Sequence, residues 1–236
     1  MSSESNELRV SRRRLVTAMG IVPVALSGLR GTAFAADPGS QISAELAHKR
    51  LVEGNARYAS GKHLRLDHSA RREVTSKGQN PFAIVLGCSD SRVPPEVVFD
   101  QGLGDIFTVR VAGNIADDVA LGSMEYAVSH FATPLLVVLG HEKCGAVAAT
   151  VDVAKSGQMP GPHIASLVTA ITPAVDASLT LPGDPVENAI HANIQRVVDG
   201  LKASQPVLAA AVAAGKLQIV GAEYQLATGK VSFLTA

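Results

Sequence analysis

The sequence predicts an α/β fold, in which a mainly parallel central β-sheet is flanked by helices. Three short apolar runs, at residues 82–86, 106–111 and 135–139, lack polar alternation, which is typical of strands buried on both faces. Segments with helical periodicity lie around them. A further strand at 217–222 gives four parallel strands, and the run 231–234 after a turn gives a C-terminal antiparallel strand at the edge.

The helical segments are separated from the strands by turns and polar loops. Residues 42–59 have apolar side chains at helical spacing, and Gly61 ends that pattern. The polar stretch 63–79 is interpreted as a loop with a short helix. Further helices are predicted at 119–131, 146–155, 164–176, 188–203 and 206–214.

The first 35 residues are predicted to be a twin-arginine signal peptide. Ser11-Arg12-Arg13-Arg14 precedes a moderately apolar stretch at 15–29, and Ala33-Phe34-Ala35 resembles a cleavage site. The alternative is an uncleaved membrane anchor, but fifteen residues are too few to span a bilayer. The sequence therefore predicts an exported protein, periplasmic or secreted. Residues 36–236 would form a single catalytic domain without stable membrane insertion.

The composition after residue 35 excludes several classes of partner. Five Arg and two Glu lie within residues 1–35, so the remainder has 16 basic and 19 acidic residues, a net charge of −3. No basic or aromatic cluster is present, so nucleic acid is not an expected partner. Trp is absent from the chain, which argues against large carbohydrate-stacking surfaces.

Two short motifs follow the first and third apolar runs. Cys88, Asp90 and Arg92 come after the first run, and His141 and Cys144 come after the third. The carboxyl ends of parallel strands meet at one edge of a sheet, where ligands bind in open α/β folds. Two thiolates and one imidazole form a zinc site with an open fourth position. Because Cys88 and Cys144 are the only cysteines, the alternative is a disulfide between them.

Asp90 and Arg92 would complete a hydrating or hydrolytic site. An ionised Asp90 can accept a hydrogen bond from a zinc-bound hydroxide and aim it at a substrate. It is also a good zinc ligand, and could occupy the fourth position in a closed state. Arg92 can hold the carboxylate away from the metal through a bidentate pair.

The combined motif resembles the β-class carbonic anhydrases. The resemblance runs from about residue 42 to residue 234 and includes Leu51-Val-Glu-Gly-Asn-Ala-Arg-Tyr58, Asp105-Ile-Phe-Thr-Val-Arg-Val-Ala-Gly-Asn114 and Gly221-Ala-Glu-Tyr224. It implies one zinc ion per chain, bound by Cys88, His141 and Cys144, with Asp90 and Arg92 as a catalytic dyad. Arg110 and Glu125 are interpreted as structural ion partners.

The same resemblance implies a substrate pocket shared between subunits. Gln79, Phe107 and Tyr126 match pocket residues that this family contributes across a dimer interface, and Gly145 is a further substrate-binding candidate. Without the resemblance, Phe107 and Tyr126 would be core residues and Gln79 a solvated loop residue. A homodimer or homotetramer is therefore expected. The helix at 42–59 is expected to wrap around the neighbouring subunit rather than to pack on its own core.

In the family that the sequence resembles, the subgroup without the glutamine at position 79 has a Trp near the first ligand region, used for bicarbonate inhibition. The resemblance, with Gln79 present and Trp absent, therefore implies a constitutively open site. The leading hypothesis is reversible, zinc-dependent hydration of carbon dioxide to bicarbonate and a proton, with zinc-bound hydroxide as the nucleophile. A second hypothesis retains the fold and the zinc but makes carbonyl sulfide or carbon disulfide the substrate. A third is a non-catalytic zinc-binding or redox-sensing protein, against which the Asp90–Arg92 pair argues.

Overall fold

The computed structural model describes residues 42–64 and 66–234. The predicted signal peptide at 1–35 lies outside the described residues. Within the described part of the chain, no helix is both long and apolar enough to cross a lipid bilayer.

Five strands form one sheet in the order β2-β1-β3-β4-β5. Its first four strands are parallel, and β5 pairs antiparallel with β4. The predicted fold class is therefore confirmed, including the antiparallel edge strand. The strands are β1 Ala83–Gly87, β2 Ile106–Arg110, β3 Leu135–His141, β4 Gln218–Tyr224 and β5 Val231–Phe233.

The helices agree with the sequence pattern more closely in position than in length. The short helix predicted within 63–79 is α2, whereas the four-residue α3 is too short to show a period and was not predicted. Prolines at the first helical position start α6 and α7 earlier than the apolar pattern does, since a fixed φ suits a first turn. The helices are α1 Ala44–Ala59, α2 His68–Thr75, α3 Pro95–Val98, α4 Asp118–Phe131, α5 Gly145–Ser156, α6 Pro162–Ser178, α7 Pro185–Ala203 and α8 Val207–Ala213, with a 3₁₀ turn at Ala112–Asn114.

Both faces of the sheet are covered, which explains why the central strands lack polar alternation. Successive residues of a strand point to opposite faces. Ile84 and Leu86 of β1 belong to the larger core, which contains side chains from α4 to α8. Ala83 and Val85 belong to the smaller core, with side chains from α1 and α3.

Helix α1 packs on its own chain, so the expectation that it avoids its own core is wrong. Leu51 is fully buried in the smaller core. The buried Asn55 amide donates to the carbonyls of Val98 (3.0 Å) and Gly229 (2.8 Å). Its oxygen accepts from the Val231 N–H at 2.8 Å. Every polar atom of this amide is paired within the chain, so a few buried residues anchor α1 on its own core.

The strand order creates a crevice between β1 and β3. The chain passes from β1 to β2 on one side, then returns across to β3 on the other side of β1. At such a topological switch point the two connections diverge and leave a gap at the carboxyl ends of the strands. Cys88 immediately follows β1, and His141 is the last residue of β3. The sheet topology therefore brings the two sequence motifs to one place.

Candidate metal centre

Cys88 is a buried thiol fixed by the backbone of a neighbouring turn. It leaves β1 with 5% of its surface exposed. The Gly113 N–H, in the 3₁₀ turn after β2, donates to Cys88 Sγ at 3.3 Å. A hydrogen bond of this kind favours the thiolate over the thiol.

His141 and Cys144 are held by a tight turn between β3 and α5. Lys143 has a positive φ of 54°, and this left-handed residue turns the chain back so that Cys144 immediately precedes α5. The helix predicted at 146–155 is therefore confirmed as α5, with Cys144 at its N-terminus. His141 Nδ1 lies 2.8 Å from the Glu142 carbonyl. Since a carbonyl only accepts, Nδ1 carries the proton and Nε2 presents its lone pair.

The two thiols and the imidazole form a compact cluster. Their ligand atoms all lie within 4.8 Å of one another, and all three residues are buried. The sulfur atoms are 4.0 Å apart and both thiols are free. The alternative disulfide is therefore absent, because a disulfide requires sulfur atoms about 2 Å apart.

The cluster fits a zinc ion by the chemistry of its donors. His141 Nε2 is fully buried and makes no hydrogen bond with any described residue. A buried nitrogen lone pair without a donor is costly, and a metal ion at this position would remove that cost. Two sulfur donors and one imidazole are the donor types that zinc prefers, and they leave a coordination position open.

Electrostatics in the cluster also favour a cation. The pKa of Cys88 is lowered, mainly by a hydrogen bond from the Cys144 thiol and further by His141 and the Gly113 N–H. The pKa of Cys144 is raised, because its proton is held by Cys88 and because it is buried. Without a metal the pair therefore holds one proton. A bound dication would compensate both negative charges and allow both groups to be thiolates.

Asp90 and Arg92 form the bidentate pair expected from the sequence. Arg92 Nε donates to Asp90 Oδ1 at 2.9 Å, and Nη2 donates to Oδ2 at 2.7 Å. The Arg92 backbone N–H also donates to Oδ1. Asp90 Oδ2 lies 3.9 Å from His141 Nε2, so the carboxylate is at the edge of the cluster. The hydrogen bonds from Arg92 hold the pKa of Asp90 well below its usual range.

Arg110 has a positioning role that the sequence interpretation missed. Its Nε donates to the Cys88 carbonyl at 3.0 Å, and its Nη2 donates to the Asp90 carbonyl. It was interpreted as an ion partner, but its hydrogen bonds go to backbone carbonyls and fix the loop that carries the thiol and the carboxylate. The sequence did contain one indication of this role. Arg110 is the last residue of β2, the strand beside β1, and from there a long side chain reaches the loop that contains Cys88.

The structure places Gln79, Phe107 and Tyr126 away from the metal ligands of their own chain. Phe107 pairs with Ile84, four residues before Cys88, which corresponds to about 13 Å along a strand. Tyr126 lies beside Phe107, with ring centroids 6.4 Å apart. Gln79 and Tyr126 line one cavity with His130 and Phe131. We call Gln79, Phe107 and Tyr126 the edge cluster, because they lie beside edge strand β2.

Gly145, the remaining substrate-binding candidate, lies at the metal cluster. It is the first residue of α5, directly after Cys144, and it is exposed. A side chain at this position would meet no described atom within 4 Å. The helix N-terminus beside Cys144 is therefore open to a small molecule.

Comparison with known proteins gives the same assignment as the site. The sequence profile of a family described as Carbonic anhydrase matches residues 83–231. A carbonic anhydrase from Mycolicibacterium smegmatis is 40% identical over 186 residues, which is 78% of this chain and 90% of that protein. The chain belongs to the β-class carbonic anhydrase family. It is accordingly an enzyme, a carbonate dehydratase.

Solved structures of the same family share the fold. The β-carbonic anhydrase CcaA is 26% identical, with a TM-score of 0.64 over 80% of this chain and 92% of that chain. A Coccomyxa β-carbonic anhydrase, solved in complex with acetazolamide, is 28% identical, with a TM-score of 0.61 over 78% of this chain and 84% of that chain. The central sheet of the present chain is therefore the sheet of this family.

Proposed function

We propose that the chain catalyses reversible hydration of carbon dioxide to bicarbonate and a proton, with one zinc ion held by Cys88, His141 and Cys144. The observation that carries the proposal is the buried, unpaired Nε2 of His141 beside two free thiols, next to a carboxylate held by an arginine. Zinc in such a site supplies a nucleophile at neutral pH by lowering the pKa of a bound water.

Asp90 is proposed to orient the nucleophile. Its carboxylate faces the cluster and stays ionised, so it accepts a hydrogen bond and directs the lone pair of the nucleophile toward the substrate carbon. Arg92 occupies both carboxylate oxygens and so keeps Asp90 from becoming a fourth metal ligand. This pairing supports a constitutively open site rather than a closed state.

The second half of the pocket is proposed to come from another copy of the chain. Phe107 of the edge cluster lies beside Ile84, which is about 13 Å along the strand from Cys88 of the same chain. The edge cluster therefore cannot line the substrate site of its own subunit. Tyr126 is 48% exposed, although an aromatic side chain is most stable when covered. A homodimer, or a homotetramer built from such dimers, would place one edge cluster against the other metal centre.

Export by the twin-arginine route is proposed for the full chain, on the sequence of residues 1–35 alone. This route transports folded proteins, so zinc can protect both thiols before they reach an oxidising compartment, whether periplasmic or extracellular. Replacing both Arg12 and Arg13 by Lys should retain a C-terminally tagged chain in the cytoplasm. The Arg30→Lys variant is the matched control and should be exported; equal export of the two variants would contradict the proposal.

The activity is tested by stopped-flow hydration of carbon dioxide with zinc-loaded protein. We expect fast hydration, one zinc per chain, and inhibition by acetazolamide, the compound bound in the Coccomyxa structure. Hydrolysis of carbonyl sulfide and carbon disulfide is measured in parallel. Faster turnover of either sulfur compound than of carbon dioxide would assign the chain to that alternative. Zinc binding without any turnover would identify a non-catalytic protein.

A further inference from the structure

One buried polar side chain outside the ligand motifs is connected to the metal centre. Asn193 lies on α7 with 1% of its surface exposed, between the core residues Ile190, Ile194 and Val197. The helix presents an apolar face here, and a side chain with an amide group is uncommon on such a face. Burial of an amide costs free energy unless hydrogen bonds compensate it. Asn193 therefore needs a specific partner.

That partner is the turn that donates to the Cys88 thiolate. Asn193 Nδ2 donates to the Gly113 carbonyl at 2.8 Å. The N–H of the same glycine donates to Cys88 Sγ at 3.3 Å. A chain of two hydrogen bonds thus connects α7 to a metal ligand through one residue.

Gly113 has little freedom to orient itself by other means. Its φ is 72°, a left-handed conformation that glycine adopts without strain. A side chain on it would lie 2.6 Å from Ile171 Cδ1, so the core presses directly against its α-carbon. This contact limits translation of the turn but does not direct its peptide groups. The peptide group that carries the Gly113 carbonyl is held by two hydrogen bonds. Its N–H, that of Asn114, donates to the Val111 carbonyl at 2.8 Å, and its carbonyl accepts from Asn193.

The amide of Asn193 is only half paired. Oδ1 is buried and has no hydrogen-bond partner among the described residues. The other half is satisfied by the bond from Nδ2 to the Gly113 carbonyl, and an apolar side chain at this position would leave that carbonyl without this donor. The side chain of Asn193 therefore acts on the turn through its hydrogen bond to the Gly113 carbonyl.

We propose that Asn193 is a positioning residue of the metal centre, which fixes Gly113 so that its N–H withdraws charge from the Cys88 thiolate. The proposal rests on the zinc site proposed above. A thiolate that accepts this hydrogen bond donates less charge to the metal. The metal then remains a stronger Lewis acid, which matters where two anionic ligands already reduce its positive charge.

The test uses the cobalt(II)-substituted full-length enzyme, because cobalt bound to thiolate gives a sulfur-to-metal charge-transfer band. Asn193→Asp keeps the shape but cannot donate when ionised, and Asn193→Leu removes all polarity. We expect both variants to shift the band to lower energy, because a thiolate that no longer accepts this hydrogen bond donates more charge to the metal. The matched control is Asn55→Leu, which removes a buried amide that also bonds backbone carbonyls but lies in the other core. It should lower the melting temperature without moving the band.

Three outcomes distinguish the inference from the function on which it depends. An unmoved band in a folded Asn193 variant would overturn the positioning role and leave a purely structural one; either variant suffices if the other does not fold. A band that shifts equally in Asn55→Leu would also overturn it. If the wild-type protein shows no thiolate-to-cobalt band, the zinc site itself is refuted, and the inference with it.

Discussion

The two ends of β1 and β2 present opposite situations. At the carboxyl end, the three candidate metal ligands are buried and fixed within one chain: Arg110 holds the loop of Cys88, and the Gly113 N–H holds its sulfur. At the other end, the edge cluster is half exposed, and Tyr126 stacks on His130 of its own helix at 4.0 Å. The carboxyl end carries a complete set of candidate ligand atoms. The other end carries one amide and two aromatic side chains, and Tyr126 is 48% exposed.

Under the proposed function, this difference corresponds to a division of roles between one chain and its neighbour. Metal ligands must be held within tenths of an ångström, so they are placed on strand ends and helix starts that are rigid within one chain. A pocket wall needs only shape and polarity, and a neighbouring subunit can supply it. The comparison predicts that changes at the metal end abolish chemistry within a subunit. Changes at the edge cluster should act on the partner.

The largest expected effect is the loss of a metal ligand. His141→Ala should abolish zinc binding and lower hydration by at least about 10³-fold, since the rate enhancement of an enzyme typically far exceeds that factor. The melting temperature should fall as well, because metal binding is coupled to folding. Zinc content, stopped-flow rates and calorimetry measure the three effects. His191→Ala is the matched control, since His191 is exposed and pairs with Glu223 instead; an equal loss there would contradict the assignment.

The next largest effect concerns the carboxylate pair. Asp90→Asn and Arg92→Ala should each lower hydration by about 100-fold or more while zinc stays bound. Because the two residues act as a unit, the double variant should be little worse than either single variant. A surface pair, Lys49 with Glu53, serves as the control, and its removal should leave the rate unchanged. Additive losses at Asp90 and Arg92 would show that they do not function together.

A smaller effect is expected at the edge cluster, where the partner can be identified directly. Gln79→Ala combined with Tyr126→Ala should lower kcat/KM about tenfold without loss of zinc, as removal of substrate-positioning contacts does. Refolding this chain with an equal amount of the His141→Ala chain should restore about a quarter of wild-type activity, since half of the dimers are mixed and each has one complete site. No recovery in confirmed mixed dimers would mean that each pocket is built from one chain.

The smallest effect is in the pH profile. Arg92 lowers the pKa of Asp90, so the carboxylate stays ionised well below its ordinary value of about 3.9. Because the pKa of Asp90 is lower in the folded protein than in the unfolded chain, the ion pair stabilises the fold above the unfolded pKa. That stabilisation is lost only as the pH falls through the lower pKa of the folded protein. Between pH 5 and 8 the dyad therefore does not titrate, and activity should rise with pH through a single ionisation. A cooperative loss of hydration activity below neutral pH that is relieved by removing bicarbonate would contradict this. It would indicate a closed state in which Asp90 is a metal ligand.

The sequence by itself determined the sheet and proposed the candidate ligand set. Short apolar runs bounded by turns favour strands buried on both faces, and the motifs at their ends supply sulfur and nitrogen donors of the types that zinc prefers. Asn193 was also noticeable in the sequence, as a polar residue on an apolar helix face. Nothing in the sequence indicated that its hydrogen-bond partner is Gly113. The role of Arg110 was misread, because an arginine reaches carbonyls and carboxylates equally well and the sequence does not say which lies within reach.

The tertiary structure alone decided which groups meet. Gly113 is some 25 residues from Cys88 along the chain, and Asn193 about 80 from Gly113, so only the packing of α7 on the larger core connects them. The helix at 42–59 was expected to wrap around a neighbour because the resemblance implies a shared pocket, yet Leu51 and one buried amide bind it to its own chain. Burial and hydrogen-bond partners depend on long-range contacts, and these are fixed by the whole fold rather than by local pattern.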